Sequence, residues 1–184
     1  MYKMNGYLEL CIGPMFSGKT THLIQCFKQF QYIGKKICVV NFDQDQRYHD
    51  TMLSTHDKNM IPCLQTSKLS LVRENGLQSD VILINEGQFF EDLFDFVMEF
   101  VEVHKKTVCI YALDGDFKRN KFGSVLDLIP YCDKVKKLTS LCSICKNGTK
   151  AIFSHRLSEE EQQVVIGSDN YIPLCRKCYH EKNK

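Results

Sequence analysis

The chain has 184 residues and is 43% hydrophobic, enough to bury the core of one principal domain with a small appendage, which excludes a disordered polypeptide. Its 24 basic and 22 acidic residues leave a net charge of +2, so nothing in the charge balance calls for a nucleic acid or an anionic membrane as partner. No apolar run is long enough to span a bilayer, and the opening MYKMNGYLEL lacks the basic start and apolar centre of a secretory leader, so a reducing, cytoplasmic setting is expected.

In chain order, the first predicted element is a strand over residues 7–12, YLELCI. It runs into GPMFSGKT, residues 13–20, which matches G-x-x-x-x-G-K-[ST] between a strand and a helix, the context a phosphate-binding loop requires. The two glycines admit backbone torsions closed to other residues, so that the loop Gly13, Pro14, Met15, Phe16, Ser17 and Gly18 can wrap an anion. A helix predicted over 19–33 adds its positive end. Lys19 is then placed to bridge the outer phosphates of a nucleoside triphosphate, and the Thr20 hydroxyl to ligate magnesium.

A second strand is predicted over 36–42, a helix over 69–75, and a third strand over 80–86, DVILINE. Glu86 ends that strand, where a carboxylate lies in the crevice in which open α/β sheets bind ligands, and it is the candidate general base. A carboxylate leading into a helix is also favoured by the helix dipole, so the position alone leaves that structural role open. A helix over 91–104 and strands over 107–114 and 134–140 complete the alternation, which implies a parallel sheet covered by helices on both faces.

Beyond residue 140 the pattern changes, and the expected division is a nucleotide-binding domain over 1–140 and a small module over 141–184. The module carries Cys142-x-x-Cys145 and Cys175-x-x-Cys178. Two such pairs complete a tetrahedral sulfur shell with no open position, as a structural zinc site requires, and a reducing compartment favours metal over disulfide. The remaining cysteines in apolar segments read as buried free thiols.

GPMFSGKTT, DQRY with THDKN, NEGQFF, ALDGDFKRNKFG, KLTSLC and VVIGSDNY with CRKCY occur in the order found in type II thymidine kinases, which this chain resembles from residue 8 to 179. The resemblance implies a P-loop NTPase-like α/β fold and transfer of the γ-phosphate of ATP, with Mg2+, to the 5′-hydroxyl of thymidine. It places Glu86 as the base, and Asp45, Arg47 and Asn85 with the phosphate-binding loop on the ATP side. It builds the nucleoside pocket from Met15, Phe89, Leu113, Phe117, Phe122, Thr139, Val165, Ile166, Gly167 and Tyr171. The loop between the cysteine pairs becomes a lasso over the nucleoside, its ends anchored by Zn2+. A homotetramer and feedback inhibition by thymidine triphosphate are further implications. Flat aromatic walls suit a pyrimidine, and Phe117 and Phe122 flank KRNK, where aromatic side chains belong only if they turn inward.

The chain departs from the family in two places. Asn85 stands where most members carry Asp, removing a charge that helps hold hydrated magnesium, and weaker metal binding is the expected consequence. The lasso reads GSDNY, one residue shorter than the usual pattern. Two other functions fit the same motifs: a kinase for another deoxynucleoside, and a P-loop ATPase whose zinc module grips nucleic acid, against which stand the lack of a basic patch beyond KVKK and the acidic run at 159–161. A catalytically silent relative is a third reading.

Overall fold

The computed structural model describes residues 5–43, 52–54, 59–165 and 167–183. The expected phosphate-side residues Asp45 and Arg47 and the lasso residue Ile166 lie outside them.

Strand β1 (Tyr7–Ile12) leads through the glycine loop into α1 (Lys19–Tyr32), and β2 (Ile37–Phe42) follows. A small antiparallel hairpin, β3 (Met52–Ser54) and β4 (Met60–Pro62), precedes the three-residue strand β5 (Leu64–Thr66). A 3-10 turn (Leu69–Val72) then opens α2 (Arg73–Leu77), and β6 (Val81–Asn85), α3 (Leu93–Met98) and β7 (Thr107–Ala112) come next. After a 3-10 segment (Val125–Tyr131) the chain returns as β8 (Lys134–Lys137). The C-terminal part consists of β9 (Ser140–Leu141), β10 (Lys150–Ala151), β11 (Phe153–Arg156), β12 (Tyr171–Leu174) and α4 (Arg176–Lys182).

Six strands form one sheet in the order β5-β2-β6-β7-β1-β8, and every pairing in it is parallel. Because side chains alternate along a strand, each central strand serves two layers. Leu8, Leu10, Ile82, Ile84, Val108 and Ile110 pack on the side of α3 and the 3-10 segments. Cys11, Val39, Leu83, Cys109 and Tyr111 pack against Leu23 and Ile24 of α1 and against Leu53 and Ile61 of the small hairpin. Burial on both faces explains why these strands read as nearly continuous apolar runs.

The predicted strand over 134–140 is divided. Leu138 still donates its N–H to Ile12 O at 2.7 Å, but β1 ends there, so the next residues lack a ladder partner and Ser140–Leu141 turn away to pair with β10. The predicted helix over 91–104 is α-helical only to Met98 and continues as a π-turn over Glu99–Val103, closed by the His104 N–H on Glu99 O. The wider turn lets the consecutive residues Phe100 and Val101 both stay buried. The predicted helix over 69–75 is capped from a distance, with the Asp92 carboxylate accepting the N–H groups of Leu69 and Ser70.

Candidate active site and metal centre

The carboxyl ends of β1, β6 and β7 reach the same level, since Ile12 pairs with Ala112 and Asn85 with Tyr111. Whatever follows each strand therefore converges in one crevice, the usual ligand site of an open parallel sheet. Here the three segments are the glycine loop, Glu86 and the stretch 113–122.

Gly13 leaves β1 with φ of 154°, and a Cβ there would come within 2.5 Å of Leu138 O, so only glycine fits between the loop and the strand link. Gly18 takes the left-handed conformation, φ 83°, and starts α1. The ammonium group of Lys19, 8% exposed, donates to Gly13 O at 3.0 Å and Pro14 O at 2.8 Å, which folds it back over its own loop. Ser17 Oγ is buried and has no hydrogen-bond partner among the described residues, a polar atom inside the cradle of the kind an anion would satisfy. Met15 N–H donates to Ser154 Oγ at 2.9 Å, fastening the loop to β11.

Glu86 is a non-glycine residue with φ of 52°. Such a torsion costs on the order of 1–3 kcal/mol and persists where the surroundings enforce it. The side chain is braced by Gln88, whose Nε2 donates to Glu86 Oε2 at 2.7 Å while its Oε1 accepts the Leu113 N–H at 3.0 Å. One buried amide thus fixes the carboxylate against the segment after β7.

Asn85 and Asn41, each 2% exposed, lie side by side at the ends of β6 and β2. Asn85 Nδ2 donates to Asn41 Oδ1 at 2.8 Å, and Asn41 Nδ2 donates to Gln65 Oε1 at 3.0 Å. The floor of the crevice is therefore a chain of neutral amides.

One continuous cavity joins these parts. Met15, Phe16, Ser17, Gly18, Lys19 and Thr20 line it at the loop end, with Asn85 and Glu86 beside them. Phe89, Leu113, Phe117, Phe122, Val165, Gly167 and Tyr171 line the other end. Phe122 meets Phe89 edge to face at 5.4 Å between centroids, and Phe89 stacks on Phe42, so the aromatic wall is preset. Gly13 and Pro14 do not line the cavity and serve it through the carbonyls that hold Lys19. Thr139 is exposed in the link between β8 and β9 and is not brought to the cavity.

Several lining residues carry no signal of their own in the sequence. Asn41, Gln88, Asp116, Ser154 and Gln163 all face the cavity. Gln88 sits inside NEGQFF and Asp116 inside ALDGDFKRNKFG, so the motif blocks marked them, but their partners are remote. Asp116 Oδ1 accepts the N–H groups of Lys118 and Asn120, which shapes its loop, and Oδ2 accepts Gln163 Nε2 at 2.8 Å from the C-terminal part.

Cys142, Cys145, Cys175 and Cys178 bring their sulfur atoms within 4.8 Å of one another. Cys145 Sγ lies 3.8 Å from Cys175 Sγ and 3.5 Å from Cys178 Sγ. Four sulfurs at about 2.3 Å from a tetrahedral zinc stand roughly 3.8 Å apart, so the spacing fits the ion. Burial raises the cost of charge on Cys142, yet backbone N–H groups of Cys145, Cys175 and Ile144 directed at its sulfur outweigh that and lower its pKa to about 6, favouring the thiolate that a cation needs. The ring of Tyr179, next to Cys178, packs on Phe153, and its hydroxyl donates to Phe117 O at 2.6 Å. The cysteine cluster is thereby tied to the aromatic end of the cavity. Among the described residues no helix is long and apolar enough to cross a membrane.

Comparison with known proteins agrees with this geometry. A family model described as thymidine kinase matches residues 6–179. The chain is 38% identical over 184 residues to a thymidine kinase of Yaba monkey tumor virus, covering all of this chain and 99% of that protein. It is 43% identical over 175 residues to the thymidine kinase of vaccinia virus strain Ankara, covering 95% and 97%, and 42% identical over 180 residues to thymidine kinase 1 of Dictyostelium discoideum, covering 95% and 78%. The phosphate loop, the enforced carboxylate, the aromatic chamber and the four-cysteine cluster all fall inside the matched span, and the chain belongs to the thymidine kinase family.

Proposed function

We propose that the chain transfers the γ-phosphate of ATP to the 5′-hydroxyl of thymidine, giving thymidine monophosphate. The observation that carries this reading is the one cavity lined together by the glycine loop with Lys19, by Glu86 and by a group of aromatic side chains. Relatives named as thymidine kinases along the whole chain favour thymidine over another deoxynucleoside and over a nucleic-acid-linked ATPase.

In the reaction, Lys19 exchanges the Gly13 and Pro14 carbonyls for phosphate oxygens and offsets the charge developing on them. The Glu86 carboxylate, held by Gln88, accepts the proton of the attacking 5′-hydroxyl. Thr20 is the residue that would hold Mg2+ on the nucleotide, with the Asn85 and Asn41 amides nearby in place of a carboxylate. That ion supplies neutralisation of the phosphate charge. The four cysteines would hold Zn2+ as a structural ion that fastens both ends of the 146–174 segment. The homotetramer, the feedback inhibition by thymidine triphosphate and the cytoplasmic setting implied by the family resemblance belong to the same proposal. They are read by light scattering, by inhibitor titration and by cell fractionation.

The test is ATP- and magnesium-dependent formation of thymidine monophosphate by the purified chain, run beside deoxycytidine and beside Glu86→Gln. Thymidine turnover is expected to exceed deoxycytidine turnover and to fall roughly 10²- to 10⁴-fold in the variant, the usual contribution of a positioned base. Product from no nucleoside would overturn the reading. Wild-type rates in Glu86→Gln would remove Glu86 as the base.

A further inference from the structure

Arg156, at the end of β11, is 4% exposed, and none of its partners among the described residues is a carboxylate. A guanidinium has five N–H donors, and all five are used here. Nε donates to Tyr171 Oη at 3.1 Å, and Nη2 donates to the same oxygen at 2.7 Å and to Gln163 O at 2.9 Å. Nη1 donates to Glu160 O at 2.8 Å and to Gln162 O at 2.5 Å. The plane of the group lies over the Phe117 ring, 3.7 Å from its centroid.

These contacts converge on one end of the cavity. Phe117, Tyr171 and the segment 163–165 all line it. Tyr171 passes the restraint on, because its hydroxyl donates to Val165 O at 3.0 Å. Gln163, whose carbonyl Arg156 holds, extends its amide to Asp116 on the opposite loop. The neck of the loop is closed separately, by the Leu157 N–H on Asn170 O and the Ser158 N–H on Asn170 Oδ1. A buried cation that spends its donors on the loop carbonyls of residues 160, 162 and 163 has, among the described residues, no ion pair to account for its burial. What it secures is the shape of the loop and the face of Phe117.

We propose that Arg156 is a positioning residue that holds residues 160–165 closed over the nucleoside end of the cavity and so sets affinity for the nucleoside. It touches neither the transferred phosphate nor Glu86. The inference rests on the kinase reading for its kinetic consequence and on the structure alone for its conformational one.

Two measurements separate these. In the unliganded chain, amide hydrogen exchange over 158–170 is expected to quicken roughly tenfold or more in Arg156→Lys, which keeps the charge but has three donors and no plane to stack, while β6 and β7 keep their protection. In turnover, the KM for thymidine is expected to rise roughly tenfold or more, with kcat and the KM for ATP within about threefold of wild type. Tyr171→Phe removes the shared acceptor but keeps the ring, and is expected to move both readouts the same way by less. It carries the test if Arg156→Lys yields no folded protein. Unchanged exchange and unchanged thymidine KM would overturn the proposal. So would exchange that quickens throughout the sheet with kcat falling in step, the mark of a residue that merely supports the fold. A wild-type chain that phosphorylates no nucleoside would overturn the kinase reading and leave the exchange result to decide the role of Arg156.

Discussion

At the scale of single residues, the candidate active site is built from side chains that control one another. Glu86 holds a costly torsion, and Gln88 binds its carboxylate and reaches Leu113 beyond it. Asn85 is turned toward Asn41, so this part of the cavity wall is polar but uncharged. Asn85→Asp would add a charge near the magnesium position, and outer-shell groups of that kind change metal affinity by roughly tenfold. The magnesium concentration giving half-maximal rate at saturating ATP and thymidine is therefore expected to fall several-fold. The same change sets a carboxylate against Asn41 Oδ1, which must rotate its amide to present a donor and then lose its match to Gln65, so thermal stability should drop as well. A magnesium titration that superimposes on the wild type would show that Asn85 has no part in holding the metal. The places of Lys19 and Glu86 on the cavity wall were legible in the sequence, because a loop motif and a strand end are local. Asn41, Gln88 and Arg156 were not, because what defines each is a partner that the fold brings from elsewhere in the chain.

At the scale of elements, the site depends on how loops meet the strand ends. Gly123 closes the segment after β7 with φ of 60°, and a Cβ on it would stand 2.4 Å from Gln88 O. Gly123→Ala must push back the backbone of the residue that holds Glu86. Strain of this kind costs on the order of 2 kcal/mol, which for a chain this size corresponds to roughly 4–8 °C in Tm. The kcat for thymidine is expected to fall with it while bound zinc is unchanged, read by calorimetry, steady-state kinetics and metal analysis. A variant with wild-type kcat would show that the contact between these two loops does not position the base. The sheet strands β1, β2, β6 and β7 were legible from their apolar runs within two residues, while β8, the largely exposed KVKK, was expected to reach residue 140 and stops early for want of a partner. The edge strand β5, with three residues, is too short to show a period, and the π-turn after α3 answers to the packing of Phe100 and Val101, which no local pattern contains.

At the scale of the whole molecule, the described residues form three apolar clusters of unequal size. Two lie on opposite faces of the parallel sheet. The third is small, and among its buried members Cys142, Cys175 and Cys178 are themselves candidate metal ligands, leaving only Ala151, Leu174 and Tyr179. A cluster of that size cannot offset the entropy of ordering the C-terminal segment, whereas a structural zinc site supplies roughly 10–16 kcal/mol of binding free energy. Removing the metal with a strong chelator is therefore expected to loosen residues 140–183 and leave the sheet folded, so that thermal unfolding splits into two steps. The consequences for the two substrates should differ. On the proposed reading thymidine loses Tyr171 and the 163–165 segment outright, and Phe117 loses the Tyr179 hydroxyl that holds its carbonyl, so nucleoside binding should be abolished. On the same reading ATP keeps the glycine loop and Lys19 while that loop loses one anchor, the bond from Met15 N–H to Ser154 Oγ, so ATP affinity should weaken without vanishing. Equilibrium dialysis of each ligand against the metal-free chain measures both. Equal loss of the two, with unfolding in one step, would mean that the cysteine cluster and the sheet form a single cooperative unit and that the boundary near residue 140 has no energetic meaning.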